Sequence, residues 1–200
     1  YAAIAHVELF VKNTKERRRT FVVASQSSRR KAYLAKTQAE LASLAGRGVV
    51  MSGNAFSSLL LVKGDLSPEE RAGGELLAGA DGKALRQAFA ALGYAPEDWT
   101  ALSVLRADGS VMQSELFREA VAALEPTTLV ALDEVAADVV RSAYVNQLAE
   151  VEELDAALLK AGLVVRVLGM RVLNLGGFAK SLEDPQRKQW AWACLKRVPP

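Results

Sequence analysis

Residues Ser58-Leu-Leu-Leu-Val62 form a continuous apolar run between turn residues, which is typical of a strand that is covered on both faces. Two similar runs follow, Thr100-Ala-Leu-Ser-Val-Leu105 and Thr128-Leu-Val-Ala-Leu132. Between the runs, apolar residues recur at helical spacing over residues 81–92 and 113–124. Strands that alternate with helices predict a three-layer α/β/α fold, in which a central, mostly parallel sheet has four strands.

The rest of the chain continues this pattern. Residues 163–168 and 171–175 flank Gly169-Met170, which predicts a tight turn between paired strands. We expect one domain over residues 1–200, with a helical, basic part at 1–47 and an α/β core at 48–200. Apolar spacing and capping residues predict further helices over 2–19, 31–44, 135–143, 151–161 and 184–197.

Composition restricts the class of protein. No apolar run reaches the ~18 residues of a membrane span, so we expect no membrane partner. Cys194 is the single cysteine and His6 the single histidine, which excludes a disulfide framework and leaves no cluster for zinc. The sequence has neither a P-loop nor a strand-linked G-x-G-x-x-G. We therefore expect a cytoplasmic monomer without a metal or cofactor.

Basic residues are concentrated at the start of the chain. Residues 1–50 hold ten Lys and Arg against three Asp and Glu, whereas the remaining residues hold fifteen against twenty. A basic cluster can contact phosphates, but it is also typical of a solvated helix end. The candidates for contact with a DNA backbone are Arg17, Arg18, Arg19, Arg29, Arg30 and Lys180.

Five segments of the chain carry a resemblance. They are Val50-Met-Ser-Gly-Asn54, Val62-Lys-Gly-Asp65, Gly74-Glu-Leu-Leu-Ala-Gly79, Val130-Ala-Leu-Asp-Glu-Val-Ala-Ala137, and Ser181-Leu-Glu-Asp-Pro185 with Lys188 and Trp192. In this order and spacing they resemble the uracil-DNA glycosylase superfamily, and most closely its iron–sulfur, family 4-type branch. The corresponding motifs there include V-G-E-A-P-G and V-A-L-G-x-x-A-A. The resemblance covers residues from about 48 to 198 and implies a uracil-DNA glycosylase-like fold.

Ligands of open α/β sheets bind at the carboxyl ends of the strands, which here precede the loops after Val62, Leu105, Leu132 and Leu175. The resemblance implies that Asp65 replaces the acid that positions water or stabilises a cation. The other residues that we expect in this cleft are Gly64, Ser67, Leu77, Gly79, Ser103, Asn174, Gly177 and Phe178.

Several positions depart from the family pattern. Leu77 stands where a phenylalanine stacks on the flipped base, and Ser103 stands where an asparagine reads the uracil edge. Gly177 replaces the histidine that stabilises charge on the uracil carbonyl, and Phe178 replaces the following proline. Ala107 occupies one ligand position of the iron–sulfur cluster. The resemblance therefore implies a scaffold without the usual means of base excision.

Three functions remain open from the sequence. The first is a diverged or non-catalytic domain that binds DNA, a nucleobase or a nucleotide in the old cleft. The second is an active DNA glycosylase of altered base specificity, in which Asp65 acts as base, backbone donors near Gly177 replace the histidine, and Phe178 supplies stacking surface. The third is a protein-interaction module that uses the basic N-terminal helix or the segment around Trp190 and Trp192.

Overall fold

The computed structural model describes residue 31 and residues 33–200. The described residues divide into two units, a short stretch that ends at Ser43 and the unit Leu44–Pro200. Helix α1 spans 33–46, close to the predicted 31–44. The helix expected over 2–19 and the five arginines proposed as DNA contacts in the N-terminal part lie outside the described residues. One domain over 1–200 stays a prediction.

A mixed six-stranded sheet forms the centre of the second unit, in the order β1-β3-β2-β4-β6-β5. Neighbouring strands pair in parallel from β3 through β2 and β4 to β6. β1 and β5 pair antiparallel at the two edges. The α/β class is confirmed, but the predicted number of four strands is wrong because the two edge strands join the same sheet. The strands are β1 Met51–Gly53, β2 Leu59–Lys63, β3 Thr100–Ser103, β4 Thr128–Ala131, β5 Val164–Val167 and β6 Met170–Asn174.

The helices after α1 are α2 Pro68–Arg71, α3 Ala80–Ala91, α4 Ser114–Leu124, α5 Glu134–Ala143, α6 Val145–Ala149, α7 Leu154–Ala157, α8 Phe178–Ser181 and α9 Pro185–Leu195. Those predicted near α3, α4, α5 and α9 are confirmed. The helix predicted over 151–161 is wrong. It is reduced to α7 because Leu159 adopts a left-handed backbone with φ 47°, and Leu154 and Leu158 are exposed.

Helices pack on the sheet and cover its strands. All five residues of β2 are buried. Leu59 and Leu61 of this strand share one hydrophobic cluster with Phe89 of α3 and Leu195 of α9. Helix α5 contacts β2 and β4, and α4 packs against α5. Among the helices that the structure describes, none combines the length and apolar character that crossing a bilayer requires.

Two local features decide how loops leave the sheet. Leu168 and Gly169 have φ values of 50° and 85°, and Val167 pairs with Met170, as in a two-residue hairpin turn with positive φ at both positions. The turn is therefore centred one residue earlier than Gly169-Met170. At the end of β2, a Cβ on Gly64 would lie 2.7 Å from Cβ of Val135, so glycine permits the close approach of α5.

Candidate ligand-binding cleft

A cavity of about 350 Å³ lies at the carboxyl ends of β2, β4 and β6. Lys63 and Asp65 line it from the end of β2, residues 132–135 from the segment after β4, and residues 176–180 from the segment after β6. Asp81 of α3 completes the lining. The cavity is therefore at the sheet edge where ligands of open α/β folds bind.

Asp133 joins two of the segments that form this cleft. Its Oδ1 accepts a hydrogen bond from the backbone N–H of Ala136 at 2.9 Å and so caps α5. Its Oδ2 accepts the N–H groups of Gly64 at 2.9 Å and of Asp65 at 3.0 Å. The Asp133 carboxylate thus occupies the backbone donors of the loop that follows β2.

The backbone donors of the segment after β6 are occupied as well. The N–H groups of Gly177 and Phe178 both donate to the carbonyl oxygen of Leu132, at 3.1 and 2.7 Å. The N–H of Gly176 donates to Oδ1 of Asn174 at 2.7 Å. The donors near Gly177 that were expected to replace the histidine therefore hold the two segments together and do not point to a ligand.

A buried ion-pair network forms one side of the cleft. Nζ of Lys63 lies 2.9 and 2.7 Å from the two carboxylate oxygens of Glu70 and 2.6 Å from Oδ2 of Asp81. The side chains of Lys63 and Glu70 are each 5% exposed and that of Asp81 is 13% exposed. Glu70 also accepts the N–H groups of Ser67 and Leu77. The network therefore fixes the loop between β2 and α3.

The ionisation of Lys63 follows from these contacts. Burial lowers the pKa of the ammonium group, but the hydrogen bonds and charges of Asp81 and Glu70 raise it by more, so that the pKa lies above its ordinary value. Lys63 is therefore a cation at neutral pH, with its protons donated to carboxylates. This state is unsuited to nucleophilic attack, which requires a neutral amine.

Asp65 lines the cavity, as does Lys180. The Asp65 side chain is 51% exposed, and Nη2 of Arg71 lies 3.9 Å from its Oδ1. Lys180 is exposed on α8. Of the residues that the sequence placed in the cleft, the structure brings together Asp65, Gly177 and Phe178, and Lys180, predicted as a contact with a DNA backbone, lies beside them.

Other expected cleft residues lie outside the cavity lining. The Oγ of Ser103 donates to the carbonyl of Leu105 at 2.7 Å and is buried. Leu77 is buried in the hydrophobic core, Ser67 caps α2, and Gly79 precedes α3 as its N-cap. These four positions serve local structure. Gly64 contributes its backbone to the contact with Asp133 described above.

Asn174 and Phe178 are held by internal contacts. Nδ2 of Asn174 donates to Oε1 of Glu134 at 3.0 Å and to the carbonyl of Leu159 at 2.9 Å. Phe178 borders the cavity but is only 4% exposed, because it also packs in the core cluster with Leu132. Most of its surface is therefore used for packing and is not offered as a stacking platform.

Sequence reasoning missed four charged residues of the cleft, which are Lys63, Asp81, Asp133 and Glu134. Two signals were present. Lys63 directly follows an apolar strand, which is unusual for a lysine unless its charge is paired. The pair Asp133-Glu134 stands between a strand and a helix, which is the pattern of an N-cap.

The iron–sulfur cluster implied by the resemblance does not fit these residues. Ala107 is exposed and donates its N–H to the carbonyl of Gly48. Cys194 is a buried residue of α9, and burial raises the pKa of its thiol. Across residue 31 and residues 33–200, no group of three or more His, Cys, Asp or Glu side chains is arranged to hold a metal ion.

Tryptophans of the last helix are partly exposed. The side chain of Trp190 is 42% exposed, and its ring lies beside Gly162, where an added Cβ would be 2.8 Å from Cζ2. Nζ of Lys196 lies 5.2 Å from the ring centre of Trp192. Both rings are thus engaged within the fold, and the interaction-module hypothesis gains no specific support from them.

Comparisons with known proteins leave the chain without an assigned family. No model of a protein family matches it, and no curated protein matches it significantly.

Proposed function

We propose that the chain is a non-catalytic, uracil-DNA glycosylase-like domain that binds a nucleobase or nucleoside in the cleft at the carboxyl edge of its sheet. The sequence resemblance supports the fold in this proposal, as do the four strands that pair in parallel between two antiparallel edges. The proposal separates binding from base excision, and different observations support each part.

The absence of excision rests on the state of the backbone donors. Base excision leaves negative charge on the departing base, and glycosylase-type catalysis needs preorganised donors for that charge. In this cleft, the N–H groups of Gly64 and Asp65 donate to Asp133, and those of Gly177 and Phe178 donate to Leu132. No histidine stands at position 177 to replace them. The engagement of these backbone donors is the observation that carries the non-catalytic part of the proposal.

Retention of binding rests on the shape and position of the cavity. A volume of about 350 Å³ is at the lower end of the range for small-molecule sites, which suits one base with its sugar and not a longer nucleic acid. Leu132, Val135 and Ala179 give the cavity apolar surface, and Lys180 and Asp65 give it polar groups.

The alternative of an active glycosylase is favoured by Asp65, which lines the cavity and is half-exposed. Oligonucleotides that contain uracil, hypoxanthine or xanthine, both single- and double-stranded, would be incubated with the protein and with Asp65→Ala. Strand scission at abasic sites would be measured. We expect none from either protein. Cleavage by the wild type that Asp65→Ala abolishes would overturn the non-catalytic proposal.

Binding is tested separately by blocking the cavity. Ala179 lines the cavity and is exposed, so that Ala179→Trp fills it from α8 without disturbing the core. Ala90→Trp is the matched control, because Ala90 is exposed on α3 and does not line the cavity. By calorimetry with the common nucleosides, we expect binding by the wild type and by Ala90→Trp, and at least tenfold weaker binding by Ala179→Trp. Equal affinities of the three proteins would place any binding elsewhere.

A further inference from the structure

Resting on the proposed function, we propose that the cleft selects bases that carry an exocyclic amino group, such as cytosine and adenine. Bases that carry an oxo group at the same position, such as uracil and hypoxanthine, are discriminated against. This selectivity is opposite to that of a scaffold that excises uracil. It follows from which hydrogen-bonding groups of the cleft are already used and which remain available.

The donors of the cleft are almost all occupied. Five backbone N–H groups of its two main segments make the internal hydrogen bonds already described, to Asp133, Leu132 and Asn174. The ammonium group of Lys63 donates to Glu70 and Asp81. Among the described cavity-lining residues, Lys180 is the cation that makes no ion pair, and it is exposed at the mouth. An oxo group inside the cavity therefore meets few donors.

The acceptors of the cleft are in excess. Four carboxylates line the cavity, against two lysines. An ionised carboxylate offers acceptors only, with about four lone-pair positions on its two oxygens. Asp81 uses one oxygen for the N–H of Gly82 and the other for Lys63, and Glu134 uses one oxygen for Asn174 and one for Arg141. Each retains acceptor capacity, and within the described part of the chain the Asp65 carboxylate has only the 3.9 Å contact with Arg71.

The shortage of available donors and the excess of acceptors distinguish an amino group from an oxo group. An amino group donates to a carboxylate in a charge-assisted hydrogen bond, which is stronger than a neutral one. An oxo group opposite a carboxylate places two acceptors against each other and loses its water without compensation. The negative charge of the four carboxylates also repels phosphate, so that a nucleoside fits this cleft better than its 5′-monophosphate. The apolar wall of Leu132, Val135 and Ala179 accepts the face of the base.

Matched nucleoside pairs test the inference. Cytidine and uridine differ in amino against oxo at C4 and in an N3 acceptor against an N3–H donor. Adenosine and inosine differ in the same way at C6 and N1, so that each pair compares the two donors of an amino group with one ring N–H donor. By calorimetry with the full chain, we expect at least tenfold tighter binding of the amino member in both pairs. A tenfold ratio corresponds to about 1.4 kcal/mol, which is close to the lower end of the range of about 1.5–3 kcal/mol for one hydrogen bond to a charged group. We also expect adenosine to bind more tightly than its 5′-monophosphate.

Variants identify the groups responsible. Asp65→Asn and Glu134→Gln each replace an acceptor oxygen by a donor, and at least one of them should reduce the amino-to-oxo ratio several-fold. Asp155→Asn is the control, since Asp155 is a half-exposed carboxylate paired with Lys160 outside the cavity lining, and should leave the ratio unchanged. Equal affinities within both pairs, or a ratio that survives both cleft variants, overturn the inference while nucleoside binding stands. Failure of the wild type to bind any nucleoside overturns the proposed function itself.

Discussion

Removal of the Lys63 cation is the most informative perturbation of this fold. In Lys63→Met, a side chain of similar length fills the same space, but Glu70 and Asp81 lose the ammonium group that lies 2.6 to 2.9 Å from their oxygens. Taking one partner from a buried ion pair costs about 3–5 kcal/mol. Because Asp81 retains some exposure and a hydrogen bond from Gly82, we expect a loss at the lower end of this range, about 3 kcal/mol.

Urea unfolding followed by circular dichroism measures this loss as a change in the free energy of unfolding. Lys180→Met is the matched control, because Lys180 lines the same cleft but is exposed, and should change stability by less than about 0.5 kcal/mol. A double variant with Glu70→Gln should recover part of the loss, since one uncompensated carboxylate is then removed. A loss below about 1 kcal/mol in Lys63→Met would refute the argument that the buried pair stabilises the loop.

The pH dependence of this difference follows from the raised pKa of Lys63. A group whose pKa is higher in the folded than in the unfolded state stabilises the fold fully below the unfolded value. That value is ordinarily 10.5, and the contribution is lost as the pH rises through the higher folded value. The difference in the free energy of unfolding between the wild type and Lys63→Met should therefore not change through ionisation of Lys63 between neutral pH and about pH 10. It should decrease only above about pH 10. A decrease between pH 7 and 9 would contradict this assignment.

Two further predictions concern packing around the same core. Gly64→Ala would place a Cβ 2.7 Å from Val135 and should lower the free energy of unfolding by about 1–3 kcal/mol through overpacking. Gly46→Ala is the control, because no atom lies within 4 Å of the added Cβ, and it should not destabilise the protein in the same urea titration. Equal effects of the two alanines would argue against close packing at Gly64. Burial raises the pKa of Cys194, and the thiol is almost inaccessible. Labelling of this thiol by a disulfide reagent should therefore be at least about a hundredfold slower in the native than in the denatured protein. Rapid labelling of the native protein would contradict the burial of Cys194.

The sequence predicted the buried strands well because their signal is local. Leu59–Lys63 and Thr128–Ala131 are apolar at every position or nearly so, and a strand covered on both faces requires that pattern. Of the two edge strands, β5 lies within the predicted residues 163–168, whereas β1 carries a weaker signal. β1 has only three residues, none of them buried, and it exists through its pairing with β3. Pairing of this kind depends on a partner about fifty residues away, which apolar spacing along one segment does not report.

The helix predicted over 151–161 failed for a related reason. Apolar residues recur there at helical spacing, but Leu154 and Leu158 are exposed while Leu159 is buried in a left-handed conformation. The spacing therefore does not mark a face that packs on the sheet. The chain leaves α7 early because the backbone must turn to reach β5, and this geometric requirement is tertiary.

The candidate site was predictable in position but not in chemistry. The rule that ligands bind at the carboxyl ends of strands led to the loops in which Asp65, Gly177 and Phe178 line the cavity, whereas Lys180, which also lines it, was predicted as a contact with a DNA backbone. The role of Asp133 was not predictable, because its two bonds to the loop after β2 join residues 68 and 69 positions apart. Hydrogen bonds between distant loops decide which donors remain for a ligand.

Asp133 stabilises the cleft through its side chain. Under the proposed relationship to uracil-DNA glycosylases, the matching position of the family motif is glycine, which has no side chain to accept the N–H groups of Gly64 and Asp65. The carboxylate here accepts both and caps α5 as well, so that donors which could serve a ligand now stabilise the fold. The backbone at position 177 also favours glycine. Its φ of 133° is rarely adopted by residues with a side chain, and a histidine there would require the segment after β6 to move. Under the proposed relationship to uracil-DNA glycosylases, uracil chemistry would require the two loops to rearrange together, and not the replacement of one residue.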